Sequence, residues 1–249
     1  MIDCHCHLLF GIDDGPETLD EAVSMARILF KHGFSTVHCT PHCISGLYEN
    51  NPVIVRDRVT RLQQALDRAE ITIRLRPGME YYLDARFSEH LPDLQPLGES
   101  RLLLVEAPAW AGADVIVGNI RQIVARGFVP LIAHPERCHL IAAPGQGGLW
   151  AKTRSLFGRA EPKPAWDLLA QLQDLGCLFQ GNLGSFAGRY GKIVEHHAVS
   201  MLEAGLYSCI GSDSHPLPGL DEMISAGLEA VCRLNSNHRQ LLSASRLLS

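Results

Sequence analysis

Several features that would assign a function directly are missing from this sequence. No stretch reaches the ~20 apolar residues a helix needs to cross a bilayer, and no basic segment leads into an apolar one near the start, so no secretory signal is expected. There is no run of lysine and arginine. The 22 basic and 27 acidic residues leave a net charge of −5, which argues against a nucleic-acid partner. No cysteine is followed six positions later by arginine, so the loop of a cysteine phosphatase is absent. Nor is there a Gly-x-Ser-x-Gly elbow, a Gly-x-Gly-x-x-Gly fingerprint or a P-loop. The eight cysteines of a chain expected to be cytoplasmic are read as reduced thiols rather than a disulfide framework. Cys4, Cys6, Cys39, Cys177 and Cys209 lie in apolar runs that suit core packing.

What is present alternates. Apolar strand-like runs occur at the N-terminus and at 35–40, 71–76, 102–106, 129–134, 177–182 and 206–213. Between them lie helical patterns at 18–31, 52–69, 113–126, 166–175, 193–203, 220–234 and 239–248, with a short helix expected near 85–90. Thr18 and Glu21 fit a capping box, and Gly33 a C-terminal glycine cap. Seven strands alternating with helices imply a parallel sheet with helical crossovers. A single α/β domain over 1–249, closed into a barrel, is expected in preference to an open sheet. One irregular segment, 143–164, is rich in proline and glycine. It reads either as a flap beside the site or as a solvated surface loop.

The strand ends carry the chemistry. Alternation along the first strand puts His5 and His7 on one face and Ile2, Cys4, Cys6 and Leu8 on the other. Asp14 follows in a loop bracketed by Gly11 and Gly15. Later strands end in His42, Glu80, Glu106, His134, and Asp213 with His215. Each residue alone has an ordinary structural explanation, such as a core histidine or a buried ion pair. Nine metal-ligand types at one rim of one inferred barrel are a different matter, and they exceed what a single ion takes. Two or three ions with bridging carboxylates would suit them, making water a nucleophile near neutral pH.

The sequence blocks in hand resemble a known family. They are Met-Ile-Asp-x-His-x-His at 1–7, Ile12-Asp13-Asp14-Gly15-Pro16, Thr40-Pro41-His42, Gly78-Met79-Glu80, Val105-Glu106, Ile132-Ala133-His134-Pro135-Glu136-Arg137, Gly184 to Gly191, and Ser212-Asp213-Ser214-His215. In order and over about residues 1–220, they are similar to the polymerase and histidinol phosphatase (PHP) superfamily. The nearest likeness is to its bacterial protein-tyrosine phosphatases of capsule and exopolysaccharide synthesis.

The resemblance implies a distorted seven-stranded (β/α)7 barrel with three divalent ions, commonly manganese, with iron and zinc as other choices. By position, His5, His7, Glu80 and Asp213 would hold one ion, and Glu80, Glu106 and His134 a second. Asp14, His42 and His215 would hold the third. Arg137 would neutralise the phosphate, and Asp14 and His42 would stand with it among the catalytic residues. Where relatives often place a second arginine after the last block, this chain has Pro216 to Leu220, which leaves Arg189 and Lys192 as candidate substrate contacts. The implied reaction is phosphomonoester hydrolysis by metal-held hydroxide. The implied partner is a phosphotyrosine protein, the tail of a bacterial tyrosine kinase. Alternatives are a small-molecule phosphatase of histidinol-phosphate or nucleotide type, a C–N bond hydrolase, and a non-catalytic metal-containing regulator. Oligomeric state is not legible.

Overall fold

The computed structural model describes residues 1–108, 110–142, 166–235, 237–244 and 247–248, and for 166 and 167 the backbone alone. The irregular segment 143–164 lies outside them. Among the described residues the strands are β1 (Ile2–Cys6), β2 (Thr36–Cys39), β3 (His42–Cys43), β4 (Arg74–Pro77), β5 (Glu80–Tyr82), β6 (Leu102–Glu106), β7 (Val129–Ala133), β8 (Leu178–Asn182) and β9 (Cys209–Gly211). Every pairing between them is parallel. The α/β alternation is therefore as expected.

The strand count and the sheet are not. The chain forms a three-stranded sheet ordered β1-β2-β4 and a six-stranded sheet ordered β3-β5-β6-β7-β8-β9, in place of one closed seven-stranded sheet. Beyond the strands expected at 35–40 and 71–76 the chain forms two further short strands, β3 and β5, after breaks at Thr40-Pro41 and at Gly78-Met79. Pro41 has no N–H to donate to a ladder. At Gly78 a Cβ would meet Leu97 Cδ2 at 2.8 Å and Thr40 Cγ2 at 3.0 Å, so only glycine permits this approach. Single backbone hydrogen bonds still cross the junctions. Glu80 N donates to Pro41 O (3.0 Å), Asp213 N to His5 O (2.7 Å) and His7 N to Ser214 O (3.1 Å).

Helices follow local signals closely. In the helix Leu19–Lys31, Glu21 N donates to Thr18 Oγ1 and Thr18 N donates to Glu21 Oε2, the reciprocal box expected. Asn51 caps Pro52–Arg68, where proline at the first position leaves no donor unpaired. The short helix expected near 85–90 is only a 3-10 turn, Phe87–Glu89.

Two apolar clusters result. The larger joins the helices to the outer faces of the strands. The smaller contains Cys4, Leu97, Leu102, Leu104, Leu131, Ala133 and Cys209. The expected uniform back face of β1 is split between them. Cys4 belongs to the smaller cluster, and Cys6 and Leu8 to the larger. The cause is a register shift in the β1–β2 pairing: Asp3 faces Val37, but Cys6 faces Cys39, so β1 spends one extra residue. The bulge returns His5 to the side Cys4 occupies. A Cβ on Gly211 would sit 2.8 Å from His5 Cβ, and Cys209, two residues earlier on the same strand, touches Cys4. The imidazoles therefore stand directly above the small apolar cluster.

Candidate active site

The C-terminal ends of β1, β6, β7 and β9 and the first residues of β3 and β5 converge on a cavity of about 390 Å³ lined by Asp14, His42, Glu80, Glu106, His134, Arg137, Arg189, Tyr190, Asp213 and His215, among others. His5 and His7 lie beneath it, fully buried. All nine expected ligand residues are thus brought to one place, from positions more than 200 apart in sequence.

Four donor atoms form the floor. His5 Nε2 and His7 Nε2 are 3.1 Å apart. Glu80 Oε2 lies 3.3 Å from the first and 3.2 Å from the second. Asp213 Oδ1 lies 3.3 Å and 3.4 Å from them. These spacings suit neighbouring donors ~2.0–2.1 Å from a shared metal ion, with Glu80 and Asp213 falling in two overlapping possible ligand groups, one of His5, His7 and Glu80 and one of His5, His134 and Asp213.

Their protonation points the same way. His5 Nδ1 donates to Gln180 Oε1 (2.8 Å), which is held in place because Gln180 Nε2 donates to Gly181 O. His7 Nδ1 donates to Asp13 Oδ2 (2.8 Å). Each neutral ring therefore turns an Nε2 lone pair towards the other and towards two carboxylates. Lone pairs in that arrangement repel unless a cation lies between them. In its absence protons are drawn in: burial alone would lower His5, but Glu80 and Asp213 carry it up to about 9. His7 is likewise raised well above its ordinary value against burial, by Asp13, Asp213 and Glu80.

Further donors lie around this floor. His42 Nδ1 and Glu80 Oε2 are 3.0 Å apart but form no hydrogen bond, and both are buried without another partner. Glu106 stands with them as a possible ligand group. Its carboxyl is pushed up to about 7 by burial and by the Glu80 charge. His134 Nε2 meets Glu80 Oε1 at 3.1 Å, and burial with the Arg137 charge lowers His134 to about 4, leaving it neutral. Nearer the mouth, His215 Nε2 meets Asp14 Oδ1 at 3.2 Å, and His7, Asp14, His42 and His215 form one possible ligand group. Burial would raise Asp14, but hydrogen bonding to His215 takes it down to about 2. Unpartnered buried acceptors, crowded carboxylates and neutral imidazoles are the donor set that hard and borderline divalent cations take. The residues present fit such a cluster.

Backbone strain helps aim these side chains. His134 (φ +31°), the residue after β7, and Asp213 (φ +49°), two residues after β9, both adopt the left-handed region. That conformation costs on the order of 1 kcal/mol or more for a residue with a Cβ and is concentrated at functional sites.

Arg137 enters from the 3-10 turn Pro135–Arg137. Its Nη1 donates to Asp213 Oδ2 (3.0 Å), which also accepts from Asn182 Nδ2 (2.6 Å), and its guanidinium lies 4.6 Å from the centre of the Tyr190 ring. Asp213 thus faces the imidazoles with one oxygen and Arg137 with the other. Arg189 borders the cavity. Lys192 is not among the residues lining it: it is exposed in the first turn of Lys192–Glu203 and pairs with Glu195 (2.7 Å).

The supporting residues escaped the sequence reading. Asp13 was visible beside Asp14, but not its role as the partner of His7. Gln180, Asn182 and Tyr190 carry no ligand signature. Glu136 is buried, accepting from Asn182 N and the Tyr207 hydroxyl, and so fixes the loop that presents Asn182. Its place between His134 and Arg137 was the available signal.

Known proteins resemble this chain in sequence and fold. Tyrosine-protein phosphatase YwqE of Bacillus subtilis is 30% identical over 217 residues, 86% of this chain and 77% of that protein. A chain from the crystal structures of YwqE from Bacillus subtilis and CpsB from Streptococcus pneumoniae, described as unique metal-dependent tyrosine phosphatases, matches with a TM-score of 0.82 and 26% identity. It covers all of this chain, and 94% of that chain is covered in turn. Histidinol phosphate phosphatase of Lactococcus lactis, solved with zinc, L-histidinol and phosphate, matches at a TM-score of 0.54 and 14% identity over 94% of this chain and 93% of its own, a likeness of fold. Residues 1–145, more than half the sequence, match the family described as capsular polysaccharide synthesis, CpsB/CapC, and the chain belongs to that family.

Proposed function

We propose that this chain is a metal-dependent phosphatase that hydrolyses tyrosine phosphate on protein, acting on the tail of a bacterial kinase that drives polysaccharide export. The observation that carries this reading is the pair of buried imidazole nitrogens, 3.1 Å apart, each 3.2–3.4 Å from both a Glu80 and an Asp213 oxygen. The names of the relatives support the substrate class. We read three divalent ions, manganese first. One is held by His5, His7, Glu80 and Asp213. A second is held by Glu80 and Glu106 with His134, His42 being also within reach. The third is held by Asp14, His42 and His215. Such ions polarise phosphoryl oxygens and lower the pKa of water so that it attacks phosphorus near neutral pH.

The chain's own residues do the rest. Arg137 presents a planar fork to two phosphate oxygens, a match that lysine does not make. Asp213 and the Tyr190 ring hold that fork facing the cavity, so little of its freedom remains to be lost on binding. The charge that accumulates on the phosphoryl oxygens meets a guanidinium already in place. Arg189 stands at the rim as a second cation for substrate. His134, neutral, accompanies Glu80 without adding charge to the buried floor. We further read residues 1–249 as one domain whose two sheets form an interrupted barrel, supported by the hydrogen bonds that cross between β1 and the end of β9. A cytoplasmic location is supported by eight free thiols.

The test is elemental analysis of the purified protein together with turnover of para-nitrophenyl phosphate and a phosphotyrosine peptide. More than one divalent ion per chain and peptide hydrolysis abolished by EDTA are expected. A metal-replete but inert protein would make it a regulator. Peptide activity no better than that on small phosphates would move the substrate class to small molecules.

A further inference from the structure

A second polar cavity, of about 430 Å³, lies at the opposite, N-terminal ends of β2 and β4. Thr36 and His42 are six residues apart along the chain, up to about 20 Å of extended backbone from the metal-donor cavity. The strand register builds it. Thr36 pairs with Arg74 and His38 with Arg76, so two residues from each strand, two apart, put four polar side chains on one face. All four line the cavity, over an apolar floor of Ile2 and Leu97.

Three observations separate this cavity from an ordinary solvated surface. First, the guanidiniums of Arg74 and Arg76 make no ion pair or hydrogen bond among the described residues, although the chain as a whole carries an excess of acids. Second, His38 is only 4% exposed, and its Nδ1 is buried with no partner. Burial and the neighbouring Arg76 charge lower His38 to about 4, so near neutral pH the ring is uncharged and one of its nitrogens can donate. Third, the wall is already formed. Gly98 takes a left-handed conformation (φ +60°) and would place a Cβ 3.4 Å from His38 Cε1, while Gly98 N donates to Pro77 O (2.7 Å) and Leu97 N to Leu102 O (2.9 Å).

We propose that this cavity binds a small molecule bearing a single phosphate, held by the paired guanidiniums of Arg74 and Arg76 with His38 and Thr36 as hydrogen-bonding partners. Two neighbouring forks offer more donors than a carboxylate can accept, and a phosphate has the oxygens to meet them. Glu99, which also borders the cavity, disfavours a larger polyanion.

The experiment uses the full chain loaded with zinc, a diamagnetic ion, and inorganic phosphate as the probe. The ring resonance of His38, identified by its loss in His38→Gln, is followed by NMR as phosphate is added, with citrate as the comparison anion. A saturable shift with phosphate and a weaker one with citrate are expected. Arg74→Ala/Arg76→Ala should weaken that binding at least tenfold, and Arg76→Gln alone by several-fold. Arg137→Ala should leave it unchanged. Turnover of para-nitrophenyl phosphate by the double variant should stay within twofold, showing that the site is separate and the fold intact. No saturable shift, equal binding of citrate, or unchanged phosphate binding in both arginine variants would overturn the proposal.

Discussion

The two ends of the parallel strands carry polar side chains of opposite character. At the C-terminal end, acceptors crowd together: Glu80 Oε2 stands within 3.4 Å of three imidazole nitrogens, with Asp213 and Glu106 nearby. At the N-terminal end, the side chains of Arg74, Arg76 and His38 have no hydrogen-bond acceptor among the described residues. Between them lies an apolar cluster in which Leu104 and Leu131 are fully buried. The first end is built for cations, the second for an anion, and only the second runs against the chain's net charge of −5. A shared scaffold thus isolates two electrostatic environments, because a low-dielectric layer and several strand residues separate them.

Removing a central ligand should break the comparison most severely. His5→Ala is expected to deplete metal and reduce phosphatase turnover by roughly a thousandfold, several kcal/mol of lost transition-state stabilisation. Metal content is read by elemental analysis, and an unaltered content would remove the basis for the assignment. Arg137→Ala should cost about a hundredfold in kcat/KM with bound metal nearly intact, as for other preorganised donors to a developing charge. Loss of metal there would mean that Arg137 acts chiefly through Asp213.

Smaller effects probe the support around each end. Asp13→Asn leaves a partner for His7 Nδ1 but removes its charge, and should weaken metal affinity about tenfold, read by competition with a chelator. His38 sharpens the contrast through pH. Its folded value of about 4 lies below the ordinary 6.5, so the unfolded chain binds more protons between these limits. Its contribution to stability is complete above about pH 6.5 and is lost as pH falls towards 4, on the order of 3 kcal/mol. Denaturant unfolding of wild type and His38→Gln across this window should show a flatter profile for the variant. A parallel profile would mean that the ring is better solvated than its burial indicates.

Much of this site could be read from residue types and order. His5 and His7 two apart, and acids or imidazoles closing one strand after another, point to a shared rim, and the rim exists. The capping box at Thr18–Glu21 and the apolar runs at 102–106 and 129–133 needed no tertiary context. The breaks at Pro41 and Gly78 were harder, since each depends on which backbone passes close by. The bulge in β1 was invisible to alternation, and it decides that His5 follows Cys4 to the same face. Lys192 looked available because sequence shows charge but not the Glu195 partner one helical turn away.

Residue types and their spacing set the chemistry: which atoms can ligate, and which nucleophiles are missing. These follow from residue type and short-range spacing, which need no knowledge of distant neighbours. Only the tertiary structure decided the geometry. The coincidence of four donor atoms from β1, β5 and the end of β9, the tautomers set by Gln180 and Asp13, and the unpartnered His38 all depend on groups far apart in the chain. Hydrogen bonds and repulsions act over a few ångströms, so their outcome is settled when folding brings those groups together.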